Sequence, residues 1–359
     1  MKPPMPSPKS VSLKQCSFVD RSRSRSPRQS MFLSRVKDQS TPFFISHSDI
    51  ERLSTIPIAI AQLERVLLQG FDPEKDGVRS RLTTQRGQLL LMPSSSARYT
   101  GTKLLTISPA NASTSLPVIQ GLYVLFSGAD QRPLAVLDGT GVTNLRTPAV
   151  SALGAQRLVS TGGKHLLVFG TGQQAWQHIK ALTLVLELTH VEIVGRNEQA
   201  AAQLAARAAA KGIKATVGTS ESTAKADLIV CCTGSSTPLF DGASVKDNAV
   251  VIAIGSHEPN SRELDDTLMS RATIYVESLV NSRREAGDVI LALASGAIAS
   301  PTSLNTLAEL VQGRIRPQLD RPAVFKTTGM PWQDLAVAAG VYEAHLSETQ
   351  AGQGPQDPH

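Results

Sequence analysis

Six residues, Gly170-Thr171-Gly172-Gln173-Gln174-Ala175, have the types and spacing to hold a pyrophosphate. Gly170 permits a tight turn, Gly172 lets backbone approach phosphate oxygens, and Ala175 lets the next helix pack close to a sheet. A helix that begins here offers free N–H groups and the positive end of its dipole to an anion. The turn therefore reads as a dinucleotide site, NAD or NADP, and the chain as an oxidoreductase. Glycine-rich turns also serve S-adenosylmethionine enzymes, so the turn alone leaves that alternative open. The end of the next strand discriminates between dinucleotides. An acid there accepts from a ribose 2′-OH, whereas an arginine pairs with a 2′-phosphate. Here the sequence is Gly195-Arg196-Asn197, with no acid until Glu198. That favours NADP(H), with NAD(H) the alternative.

The turn needs particular elements around it. Residues 165–169 and 191–194 are apolar runs, and the stretch between them has helical character. An Ala-rich helix over 198–211 follows, then short buried strands at 215–217, 228–233, 250–254 and 274–277. Strands alternating with helices predict a parallel sheet covered on both faces. Upstream, strands at 89–92, 103–107, 121–126 and 134–138 joined by turns predict an antiparallel sheet. A helix over 50–68 precedes them, and one over 142–159, capped by Thr143 or Asn144, follows. A helix at 304–311, a strand from 323 and a helix over 332–345 close the pattern. The last helix is expected to return to the first domain, which makes that domain discontinuous.

Composition bounds the function classes. The chain has 359 residues, length for about two domains. No apolar run reaches the roughly 18 residues of a transmembrane helix, which predicts no membrane partner. Residues 1–40 carry nine Lys/Arg and two Asp of a chain whose net charge is +6, so the remainder is near neutral. No basic face with interleaved aromatics is visible, which argues against nucleic acid. The 1–40 segment is rich in Ser, Pro and Arg without apolar periodicity and is expected to be disordered. It reads as an upstream extension with Met31 the true start, with a targeting peptide or a functional Arg-Ser segment as alternatives. Three cysteines, Cys16, Cys231 and Cys232, show neither disulfide nor metal-ligand spacing, which fits a cytoplasmic setting. Cys231 and Cys232 should point to opposite faces of one strand.

Several blocks in order resemble the ornithine cyclodeaminase/mu-crystallin family from Phe43 to His345. They are Leu91-Met92-Pro93; Lys103 with Pro109-Ala110-Asn111; Leu137-Asp138 with Leu145-Arg146-Thr147-Pro148-Ala149; the glycine turn; Ala226-Asp227 with Thr233; Arg262-Glu263-Leu264-Asp265; Glu285-Ala286-Gly287-Asp288; and Phe325-Lys326-Thr327-Thr328-Gly329 with Gln333-Asp334-Leu335-Ala336. The resemblance implies an α/β fold in which a Rossmann NAD(P)-binding domain (147–314) is inserted in a discontinuous α+β substrate-binding and dimerisation domain (41–146 plus 315–346). Residues 347–359 are expected to be a disordered tail, and the assembly a homodimer.

The same resemblance implies hydride exchange between a nicotinamide and the α-carbon of a small imino or amino acid. Arg146 matches the family arginine that grips the carboxylate beside the cofactor, and a guanidinium suits a bidentate grip. Arg79, thirteen residues before Met92, matches the second substrate arginine, with Arg81 an alternative. Lys103 matches the lysine near the reacting nitrogen, where an ammonium protonates an imine or holds the carboxylate. Thr147, Gln173, Gln174, Thr233 and Gly255 fall at cofactor positions. One departure bears on the reaction. Cyclodeaminases carry an acid soon after the glycine that ends the fifth strand of the nucleotide domain, and this chain has Gly255-Ser256-His257-Glu258. His257 in that place favours imine reduction, in which it supplies or relays a proton. The expectation is reduction of a Δ1-pyrroline-2-carboxylate-type imine to proline. Ornithine cyclodeamination, amino-acid dehydrogenation and a mu-crystallin-like ligand-binding role are the alternatives.

Overall fold

A computed structural model describes residues 41–351; the expectations for residues 1–40, Cys16 and the end of the C-terminal tail lie outside it. The first sheet contains β1 (Phe43–Ile45), β2 (Ser80–Thr84), β3 (Gly87–Ser95), β4 (Tyr99–Ile107), β5 (Ile119–Ser127) and β6 (Pro133–Asp138). Its order is β1-β6-β5-β4-β3-β2, antiparallel except for β1 against β6. Helices α1 (His47–Leu53) and α2 (Ile56–Leu68) precede β2. The single helix expected over 50–68 is thus two. Thr55 occupies the N-cap of α2 and Pro57 lies in its first turn; a proline has no N–H to continue a preceding helix.

Helix α3 (Gly139–Leu158) leads from β6 into the second sheet. It starts earlier than its periodicity suggests because Asp138, the last residue of β6, caps it by accepting from Gly141 N. Neither Thr143 nor Asn144 is the cap. Nearly every turn of α3 is buried, as befits a helix wrapped on all sides.

The second sheet holds β7 (Lys164–Phe169), β8 (Leu188–Val194), β9 (Ala215–Val217), β10 (Leu228–Cys231), β11 (Val250–Ala253), β12 (Thr273–Val276), β13 (Asn305–Thr306) and β14 (Ala323–Lys326). All pairs are parallel, in the order β13-β12-β14-β11-β10-β7-β8-β9. Helices α4 (Gln173–Val185), α5 (Glu198–Ala209), α6 (Asp266–Arg271), α7 (Leu279–Glu285), α8 (Gly287–Ser295) and α9 (Leu307–Val311) connect the strands. Both faces are covered. Leu166 and Val168 of β7 join one apolar cluster, while Leu167 and Phe169 join another. Cys231 and Cys232 likewise pack into opposite clusters, and both thiols are free.

Three expectations at the domain boundary change. Residues 323–326 fall in the segment expected to join the substrate-binding domain, but β14 pairs with β11 and β12 of the parallel sheet. Only the last helix, α10 (Pro331–Ala351), returns to pack on β3, β4, β5 and α2. The expected division between residues 146 and 147 falls inside α3, which is one continuous helix. The expected C-terminal tail also begins later, since α10 continues to Ala351.

Candidate active site

The glycine turn lies where β7 ends and α4 begins. Gly170 has φ +118°, and a Cβ there would sit 2.5 Å from the Cys232 carbonyl oxygen of the neighbouring strand's exit. Only glycine meets both conditions without strain. Gly172 is the N-cap of α4 and gives it no side-chain cap, so the first N–H groups are free for a ligand. No atom lies within 4 Å of a Cβ built at Gly172, which leaves an open cradle. Two buried polar atoms, Gln174 Oε1 in the first turn of α4 and Thr147 Oγ1 on α3, the helix packed against α4, have no hydrogen-bond partner. Unpartnered buried oxygens at an open helix N-terminus fit a ligand rich in phosphate and hydroxyl groups. Gln173 is exposed as the first residue of α4. Arg196 is exposed just beyond β8, while Asn197 is committed to capping α5 by accepting from Ala200 N. These residues suit a pyrophosphate at the turn and an anion near Arg196.

The cations converge on the inner face of the first sheet. Cross-strand register sets Met92 opposite Lys103, and Lys103 opposite Tyr123, so the three share one face. Lys103 is 1% exposed. Its Nζ donates to Asp334 Oδ1 at 2.8 Å and to Thr143 Oγ1 at 3.2 Å. Burial, reinforced by the Arg146 charge, pulls the Lys103 ammonium down to about 7, with Asp334 opposing both. Arg146, from the middle of α3, donates through Nε to the same Asp334 oxygen at 3.1 Å. Burial raises the Asp334 carboxyl, but Arg146 and Lys103 outweigh it and hold it below the usual range. Arg79 donates through Nη2 to the carbonyls of Thr328 and Gly329 and forms an ion pair with Glu285 at 3.3 Å. Arg81 pairs instead with Glu258 at the rim. Thus Arg79, Lys103 and Arg146 come together, and Arg81 stands aside.

His257 sits in the loop after β11. Its Nδ1 lies 3.2 Å from the Gly255 carbonyl oxygen, which can only accept, so Nδ1 carries the hydrogen. Burial lowers its pKa, and the Arg79 charge adds to this against the Gly255 hydrogen bond. The ring is therefore neutral near pH 7, with Nε2 an acceptor. That arrangement argues against His257 as the proton donor and leaves Lys103 better placed.

Buried acids were given no role by reasoning from sequence, and two of them bear directly on the site. Glu263 accepts from Thr233 N and Oγ1 through one oxygen and from Gly255 N through the other, at 2.7–2.8 Å. It thereby ties the exits of β10 and β11, the edge that faces the glycine turn. Asp334 is the hub between Lys103 and Arg146. Its signal was present: an acid within the apolar helical stretch over 332–345, where burial demands a cationic partner.

Known proteins resemble this chain in sequence and in fold. Residues 46–349 match the model of the ornithine cyclodeaminase/mu-crystallin family. The Δ1-pyrroline-2-carboxylate reductase of Colwellia psychrerythraea is 35% identical over 260 residues, 70% of this chain and 82% of that protein. Ketimine reductase mu-crystallin of Mus musculus is 31% identical over 315 residues, 85% of this chain and 98% of that protein. Among solved structures, an archaeal alanine dehydrogenase dimer with bound NAD superposes with a TM-score of 0.80 at 28% identity, covering 86% of this chain and 97% of that one. On its sequence blocks, its parallel nucleotide-type sheet and these matches, the chain belongs to the ornithine cyclodeaminase/mu-crystallin family.

Proposed function

We propose that the chain reduces a small cyclic imino acid of the Δ1-pyrroline-2-carboxylate type, forming proline, with NADPH preferred over NADH, and that it does so as a homodimer. One observation carries the reading: a buried lysine with a pKa near 7 shares the carboxylate of Asp334 with Arg146 and lies within reach of the Arg79 charge. Arg79 and Arg146 offer planar donors to a carboxylate. Lys103, with Asp334 behind it, is a proton donor matched to neutral pH. The nicotinamide nucleotide, when bound, supplies the hydride that the imine α-carbon accepts. Lys103 Nζ gives the imine nitrogen its proton, and the product leaves as the amino acid.

The substrate's remaining atoms have an apolar surface beside Lys103. Leu90, Met92 and Leu105 form a separate buried cluster on its sheet face. Such a wall suits ring methylenes and disfavours the ω-ammonium of ornithine. His257, neutral where cyclodeaminases carry an acid, offers no carboxylate to handle the protons of ammonia release and so speaks against cyclodeamination. Arg196 and the committed Asn197 support NADPH.

The experiment incubates purified protein with NADPH and Δ1-pyrroline-2-carboxylate, and separately with ornithine and NAD+. NADPH oxidation with proline as product is expected in the first mixture. Ammonia and proline from ornithine in the second would overturn the reading.

A further inference from the structure

Glu277 follows the last residue of β12 and is buried. Its carboxylate accepts four hydrogen bonds. Oε1 receives Thr327 Oγ1 at 2.8 Å and Gln333 Nε2 at 2.5 Å, and Oε2 receives Thr328 N at 2.9 Å and Gly329 N at 3.0 Å. Every one of these donors belongs to the segment that meets the substrate arginines. Arg79 Nη2 donates to Thr328 O at 3.1 Å and Gly329 O at 2.7 Å. Because Gln333 spends its amide N–H on Glu277, its Oε1 is turned toward Arg146 Nη1, 3.3 Å away. Gly329 has φ +76°, and a Cβ there would lie 2.8 Å from Arg146 Nη2 and nearer still to Nη1. One acid on the parallel sheet therefore shapes the turn on which both guanidinium groups rest.

We propose that Glu277 is a positioning residue for the substrate carboxylate. It fixes the Thr327–Gly329 turn and the Gln333 amide, and these set the directions of Arg79 and Arg146. Glu277 itself touches neither substrate nor nucleotide. The inference rests on reading Arg79 and Arg146 as the carboxylate grip. A buried acid that served folding alone would, when altered, weaken nucleotide and carboxylate binding alike.

The test uses the full chain and pyrrole-2-carboxylate, a planar carboxylate with no imine to reduce, titrated calorimetrically in saturating NADP+. Glu277→Gln should weaken its binding, and raise KM for the imino acid, by about tenfold or more. The NADPH Kd should stay within about twofold. Glu277→Asp, which keeps the acceptor charge on a shorter arm, should recover part of the loss. Gly329→Ala leaves Glu277 intact, crowds Arg146 and should give the same selective loss, which tests the turn that Glu277 holds; should Glu277→Gln not fold, Glu277→Asp decides the matter by the same split between carboxylate and NADPH affinity. Unchanged carboxylate affinity in the variants, or an equal loss of NADPH affinity, overturns the inference. If the wild type binds the probe but reduces no imine, the proposed reaction fails and the positioning role stands. If it does not bind the probe, the carboxylate grip and this inference fail together.

Discussion

Lys103 and His257 are both candidates to protonate an imine, and their surroundings separate them. A donor must hold its proton near the working pH and have a direction in which to give it. Lys103 meets the first demand because burial and Arg146 bring it to about 7. The neutral His257 ring has already given its one N–H to the Gly255 carbonyl. Lys103→Met should therefore lower kcat/KM for imine reduction by about 10²–10⁴-fold, with NADPH affinity retained in a fluorescence titration. The sign of the pH dependence follows from the charged form being the donor. In wild type, kcat/KM should be level on the acid side and fall as pH rises through about 7. Asp334 favours the ammonium, so Asp334→Asn removes that support and should move the falling limb to lower pH. A limb that stays in place would show that another group titrates. Residue types at this site were readable from sequence, since cations and a histidine stand at recognisable spacings. Their protonation was not, because it depends on partners over 200 residues away, as Asp334 is from Lys103.

Elements were legible to the degree that their signals are local. The β7–turn–α4–β8 unit emerges from glycine spacing and apolar runs alone, and its turn geometry matches: Gly170 in the left-handed region, Gly172 open. The sheet of β14 is not legible in its own four residues, because it is chosen by pairing with β11 and β12. Residues 305–306 read as helix for a similar reason; they form β13 only because β12 is there to pair with. Two predictions belong to this scale. Gly170→Ala should destabilise the chain by roughly 1–3 kcal/mol through forced positive φ and the nearby Cys232 carbonyl, read as a lower denaturation midpoint. Arg196→Ser removes the cation at the exit of β8. If that guanidinium meets a 2′-phosphate, NADPH should bind about tenfold to a hundredfold more weakly, with NADH little changed. Equal effects on both nucleotides would remove Arg196 from cofactor selection.

At the scale of the whole molecule, the first sheet poses a question that its own chain leaves open. Its inner face carries the site and is covered by α3 and α10. The outer face should then be polar, since an antiparallel sheet with one wet side alternates apolar and polar residues. Instead the register lines up Leu82 with Leu89, and Leu91 with Leu104 and Leu122, across neighbouring strands. Leu82 is 60% exposed and Leu122 is 43% exposed. A contiguous apolar face on a solvent-facing sheet is characteristic of an interaction surface. A second copy of the same chain is the simplest cover, because an isologous contact brings the same face from each partner. The homodimer reading thus gains a physical reason independent of any relative. Leu104→Glu combined with Leu122→Glu places two charges in the middle of this face and leaves the inner row of Met92, Lys103 and Tyr123 untouched. Sedimentation equilibrium should find twice the chain mass for the wild type and the single chain mass for the double variant. A dimer that survives both charges would locate the contact elsewhere and leave this face to another partner.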